Sequence, residues 1–129
     1  MTGSDILTMA CNLLAETSGD SVTVADLRAR APYILAAFCG EARVIDKRYR
    51  EAFSLGTQPM FDRTHLDLSK AFPLCDRLAP TAAMYVASLL IADENPELSA
   101  IFAERCRDSL SSVYCEIPAT IQSIKNVYN

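Results

Sequence analysis

The stretch Phe72–Tyr114 reads FPLCDRLAPTAAMYVASLLIADENPELSAIFAERCRDSLSSVY, and it decides the fold. Leu78, Ala82, Tyr85, Val86, Leu89 and Leu90 recur at helical spacing. Ala79, Ala83, Ala87 and Ser88 keep the other positions small, which permits close helix packing. A helix that is apolar almost all round belongs at the centre of a bundle. Asp76 is placed to cap it, and Pro80 falls in its first turn, where backbone N–H groups have no intrahelical partner. Asp93-Glu94-Asn95-Pro96 then turns the chain. Asn95 is a favoured N-cap residue and Pro96 suits the first helical position. Leu98, Ile101, Phe102, Cys106, Leu110 and Val113 make the stripe of the next helix, with Glu104, Arg105, Arg107 and Asp108 facing outward. The stretch is therefore an antiparallel helical hairpin whose apolar half needs partners.

Those partners lie upstream. Ile6, Leu7, Ala10, Leu13 and Leu14 form one face of a first helix, with Ser4 as its expected N-cap. Leu27, Ala31, Ile34, Leu35, Phe38, Ala42, Ile45 and Tyr49 sustain a second stripe. Pro32 interrupts it. A proline inside a helix removes a backbone bond and costs about 3 kcal/mol, so the expectation is a kinked or broken helix with one continuous inner face. Gly40 points to a close helix crossing. Glu41, Arg43, Asp46, Lys47, Arg48, Arg50 and Glu51 are assigned to a solvated outer face, where the cations suit the negative helix end.

Between Ala52 and Cys75 the periodicity stops. This segment of roughly 24 residues is long for a compact domain, where connections run to about 4–6. His65-Leu66-Asp67-Leu68-Ser69 alternates in a way that suits a brief strand. Phe53, Leu55, Met60, Phe61, Leu66 and Phe72 are too apolar for a freely solvated loop, so they either cover the helices or meet a partner. After Tyr114 come Ile117, Ile121, Ile124, Val127 and Tyr128, an apolar set that is odd if left in solvent. The fold expected is all-α: a single domain over 1–129, a compact bundle of four to five helices, with a protruding, partly extended loop at 52–75 and an extended C-terminal tail at 116–129.

The totals narrow the function. With 129 residues, half of them apolar and a net charge of −4, the composition is globular and acidic. An acidic balance does not suit a surface that grips nucleic-acid phosphates throughout. No apolar run reaches the roughly 18 residues a membrane span needs, and MTGSDILTMA, with Asp5 and no basic residue, does not read as a secretion signal. The five cysteines show no paired C-x-x-C spacing, and the single histidine, His65, has none beside it. Metal and cofactor sites are therefore not expected. Cys11, Cys39 and Cys106 sit on or beside apolar faces, as free buried thiols do. There is no G-x-S-x-G and no glycine-rich phosphate loop. A Cys75–His65 pair is arithmetically available, but nothing in the spacing brings the two together. The chain reads as a non-enzymatic one.

The segment PLCDRLAPTAAMYVASLLIADENPELSAIFAERC, with RARAPYILAAFCGEA before it, resembles the small head–tail connector (head-completion adaptor) proteins of long-tailed phages and prophages. The likeness lies in the Asp-Arg helix start, the Ala-Pro lead into an apolar helix, the DENPEL corner and the closing aromatic–acidic–arginine run. It covers about half the chain; this chain departs from the pattern in its cysteines, and the tail is not matched. The resemblance implies a virion assembly protein of the phage neck. Its copies would form a ring on the portal protein, contact tail-side connector proteins, and leave a channel through which DNA passes. It also implies a host-cytoplasmic existence during assembly, with a monomer in isolation allowed. Met60, Phe61, Leu66, Leu68, Ile117, Ile121, Ile124, Val127 and Tyr128 are the candidate partner and subunit contacts. The alternative from another class is a small helical DNA- or protein-binding regulator. It would need a contiguous basic surface including Arg28, Arg30, Arg43, Lys47 and Arg48.

Overall fold

Four helices follow one another: α1 (Gly3–Ser18), α2 (Val24–Phe53), α3 (Ala79–Ile91) and α4 (Pro96–Glu116), with a 3₁₀ turn at Asp76–Leu78 leading into α3. They come from a computed structural model that describes residues 1–18 and 24–118, without the side chains of 16–18, 24 and 25. The described chain is all-α, as the periodicities require. Among these residues, strand pairing is confined to one antiparallel bridge between Thr2 and Ala71. The tail positions Ile121, Ile124, Val127 and Tyr128 lie outside the described residues.

The hairpin is built as its sequence dictates. Asn95 caps α4, its side-chain oxygen accepting the Leu98 N–H at 3.1 Å, with Pro96 first in the helix. Helix α3 touches the other three helices. Ala82, Ala83, Val86, Ala87 and Ile91 have no exposed surface, so the small residues let α3 lie close to its neighbours. Serines then cross-link the two arms: Ser88 Oγ donates to the Ser99 carbonyl at 3.0 Å, and Ser99 Oγ returns a bond to the Ser88 carbonyl at 2.8 Å. Phe102, Cys106 and Val113 are the buried positions of α4. Leu89 and Ile101, placed on the inner stripes above, are substantially exposed. Leu110 and Leu98 are half-buried, so the buried face of α4 is narrower than its apolar stripe.

Three local expectations need correction. The cap of α1 is Thr2, not Ser4. Thr2 Oγ1 accepts the Asp5 N–H and Asp5 Oδ2 accepts the Thr2 N–H at 2.8 Å, a reciprocal box that satisfies two donors. The Thr2 backbone N–H, and after it the Thr2 hydroxyl, hold the Asp5 carboxyl below its usual range. Asp76 does not cap α3. It opens the 3₁₀ turn, while Leu78 takes the N-cap position without a side-chain bond. Finally, α2 is not broken at Pro32: it runs through the proline as one helix, and it keeps the expected continuous inner face of Leu27, Ala31, Leu35, Phe38 and Ala42. Pro32 is itself buried, and its carbonyl accepts the Leu66 N–H at 3.0 Å.

Candidate interaction surface

The irregular segment from Ser54 to Cys75 is fastened to the bundle at one buried carboxylate. Asp46 has no exposed side-chain surface. Its Oδ1 accepts the Cys75 backbone N–H at 2.7 Å. Its Oδ2 accepts from Arg50 Nε at 2.8 Å and from Gln58 Nε2 at 2.7 Å. Arg50, only 14% exposed, turns its guanidinium to the Pro73 carbonyl at 3.1 Å and the Thr57 carbonyl at 3.5 Å. Gln58 also donates to the Arg43 carbonyl at 3.0 Å. One ion pair on α2 therefore holds the beginning (Thr57, Gln58) and the end (Pro73, Cys75) of the segment. A buried charge is tolerated only when it is paired and hydrogen-bonded, and these bonds meet that condition. Asp46 was assigned above to the solvated face, and that assignment is wrong. It lies four positions after Ala42 and eight after Phe38, on the inner stripe itself.

The later half of the segment is held differently. Its backbone runs along the start of α1: the Ser4 N–H donates to the Leu68 carbonyl at 2.9 Å, the Gly3 N–H to Lys70 at 3.3 Å, and the Phe72 N–H to Met1 at 2.8 Å. The free N–H groups at the head of α1 find their acceptors here. Gly3 permits the approach, since a Cβ at that position would stand 3.1 Å from Leu68 Cα. Phe72 and Leu74 are buried, and Leu66 and Leu68 pack on the core. The expected strand at His65–Ser69 is absent. Asp67 Oδ1 accepts the Ser69 N–H at 2.9 Å and closes a turn in the middle of the alternation.

Between this segment and α1 lies a groove of about 500 Å³, lined by Gly3, Pro59, Met60, Phe61, Asp62, His65, Leu66, Asp67, Lys70, Ala71, Phe72 and Pro73. It gathers three of the candidate contacts. Met60 is fully exposed, while Phe61 and Leu66 are half-buried against the core. Leu68 is half-buried on the same core but outside the groove, and Ile117 is half-buried at the end of α4. Of the nine candidates, Met60 is the one that the described structure leaves bare. Phe53 and Leu55, just before it, are also exposed. The 52–75 loop thus lies fastened along the bundle for much of its length, and its apolar residues divide between covering the helices and facing outward.

Other clusters are accounted for within the chain. Burial pushes the Cys39 thiol up to about 12, with the Asp46 charge adding to it. Cys75 rises to about 11 through burial and then through its bond to Asp46, and Cys106 rises to about 11 through burial and Glu41. Such thiols stay protonated at neutral pH and are poor nucleophiles. His65 stands edge-on to Tyr33, ring centroids 5.0 Å apart. Arg30 donates to the Leu89 carbonyl at 3.2 Å, tying α2 to the end of α3. Arg28 and Arg43 lie fifteen positions apart on α2, roughly 22 Å along the axis, so the basic residues of the regulator reading are spread along the helix. Among the described residues no cluster of metal-ligating side chains is found, and no helix is long and apolar enough to cross a membrane. No family model, curated protein or solved structure matches this chain.

Proposed function

We propose that the chain is a structural subunit of a phage or prophage head–tail connector, docking on the portal in a ring of copies and leaving a channel for DNA. The observation that carries the reading is the 54–75 segment. It is fastened to a helical scaffold at both ends, yet it carries Met60 bare on the lining of a largely apolar groove, and Leu55, five residues earlier in the chain, is exposed as well. Irregular backbone held on a rigid scaffold is where binding residues concentrate. Exposed apolar side chains grouped in this way mark a contact surface.

The likeness of residues 73–106 to the connector pattern supports the same reading, as does the net charge of −4, which suits a channel wall that DNA passes without sticking. Ring closure needs heterologous contacts between two different patches of each copy. The groove with Met60 is one patch, and the segment after Glu116 is assigned to the other, or to tail-side connector proteins. On this reading the protein works in the bacterial cytoplasm during assembly and in the virion neck afterwards, without catalytic residues or cofactor.

The test mixes the purified chain with portal rings encoded beside its gene and views them by electron microscopy. Wild-type chain should add a ring of density to the portal. Met60→Asp, at a fully exposed position, should leave circular dichroism unchanged and abolish the added ring. Bare portals with wild-type chain, or full decoration by the variant, would overturn the proposal.

A further inference from the structure

The two halves of the 54–75 segment are secured by different means. From Ser54 to His65 nearly every residue is exposed; only Gln58 and Phe61 are drawn in. Gln58 is held by Asp46 and by the Arg43 carbonyl, and Thr57 by Arg50. From Leu66 to Cys75 the chain instead buries Phe72, Pro73 and Leu74 and bonds its backbone to α1. The first half is therefore attached mainly by polar bonds converging on one ion pair; the second is bonded by the same pair at Pro73 and Cys75 but is held besides by apolar burial and by its backbone bonds to α1. The Pro59–Phe61 stretch of the first half lines the 500 Å³ groove together with Gly3, Phe72 and Pro73.

We propose that residues 54–65 form a flap, held against the bundle by the Asp46–Arg50 pair through Gln58 and Thr57, that opens the groove without unfolding the helices. Local openings of this kind arise where few apolar contacts oppose them. When the flap opens, the 66–75 half stays in place, and the Phe72–Pro73 wall faces solvent. The device would serve any partner of the groove, so it stands or falls independently of the connector reading.

Trypsin supplies the test, because Arg63 lies in the flap and Lys70 in the anchored half, and both are exposed. Asp46→Asn keeps an oxygen for the Cys75 N–H but removes the charge that holds Arg50 and the acceptor that Gln58 uses. Cleavage after Arg63 should quicken roughly tenfold or more, as loss of a charge-assisted bond implies. Cleavage after Lys70 and the helical circular dichroism should stay as in the wild type. Gln58→Leu, which alters no helix, should act in the same direction and decides the matter if Asp46→Asn does not fold. Unchanged cleavage after Arg63 in the folded variants would overturn the proposal. So would an equal rise at both sites, since the latch would then hold the whole segment and not a flap.

Discussion

Between Ala79 and Glu116 the chain buries Ala82, Val86, Ile91, Phe102 and Val113 and adds a pair of reciprocal serine bonds. Between Ser54 and His65 it buries little and depends on a carboxylate, a guanidinium and an amide. Apolar burial is non-directional and grows with area, so the hairpin's hold is shared among many side chains and should be lost only with the fold. Hydrogen bonds are directional and few, so the hold on the loop is concentrated in three side chains. The difference separates a scaffold from a surface that moves on it.

The largest effect should come from breaking the scaffold. Phe102→Ala, at a fully buried site on α4, removes an aromatic ring from a packed interior and should cost roughly 3–5 kcal/mol in urea denaturation. Because the hairpin underlies everything else, protection of the loop should fall with it. A loss below about 1 kcal/mol would mean that α4 is not part of the same cooperative unit.

Alkaline pH should sharpen the contrast at intermediate scale. Cys39, Cys75 and Cys106 hold their protons in the folded state well above the ordinary value of 9.0, up to about 12 for Cys39. The raised folded values favour the folded state in full below pH 9, and the advantage fades as pH climbs through 11 to 12. Melting temperature should therefore be insensitive to these thiols at pH 7–8 and drop above pH 9. The Cys39→Ala variant should show a shallower drop. An identical alkaline slope in that variant would remove Cys39 from the account.

The smallest effect tests a position where the structure departs from expectation. Gly40 was read as a close helix crossing, but a Cβ there would meet nothing within 4 Å. Gly40→Ala should therefore stabilise α2 by about 0.5–1 kcal/mol, read as a rise in melting temperature. Destabilisation would show that something not seen in the isolated chain packs on that face.

Helix identities, the Asn95 cap, the Pro96 start and the central place of α3 were legible because each follows from local spacing or chemistry within a few residues. Asp46 was not. Its charge argued for solvent, while its position four after Ala42 argued for the core, and the residues that settle the conflict, Gln58 and Cys75, are 12 and 29 positions away. A lone carboxylate on an apolar stripe with Arg four residues later was the available signal. The α1 cap was misread because two hydroxyl residues compete there; only Thr2 has an acid three positions on that answers it. The division of Met60, Phe61 and Leu66 between solvent and core was not readable, since irregular backbone has no period from which to infer a face.

Native-state hydrogen exchange on the wild-type chain tests the scaffold-and-flap division most directly. Amides of α3 and α4 should exchange only through global unfolding, with a denaturant dependence equal to that of the whole protein. Amides from Leu55 to His65 should exchange through a far cheaper opening that is nearly independent of denaturant, while those from Leu66 to Cys75 follow the helices. If residues 55–65 showed the same exchange free energy and denaturant slope as α3 and α4, scaffold and loop would be one unit and the account would be contradicted.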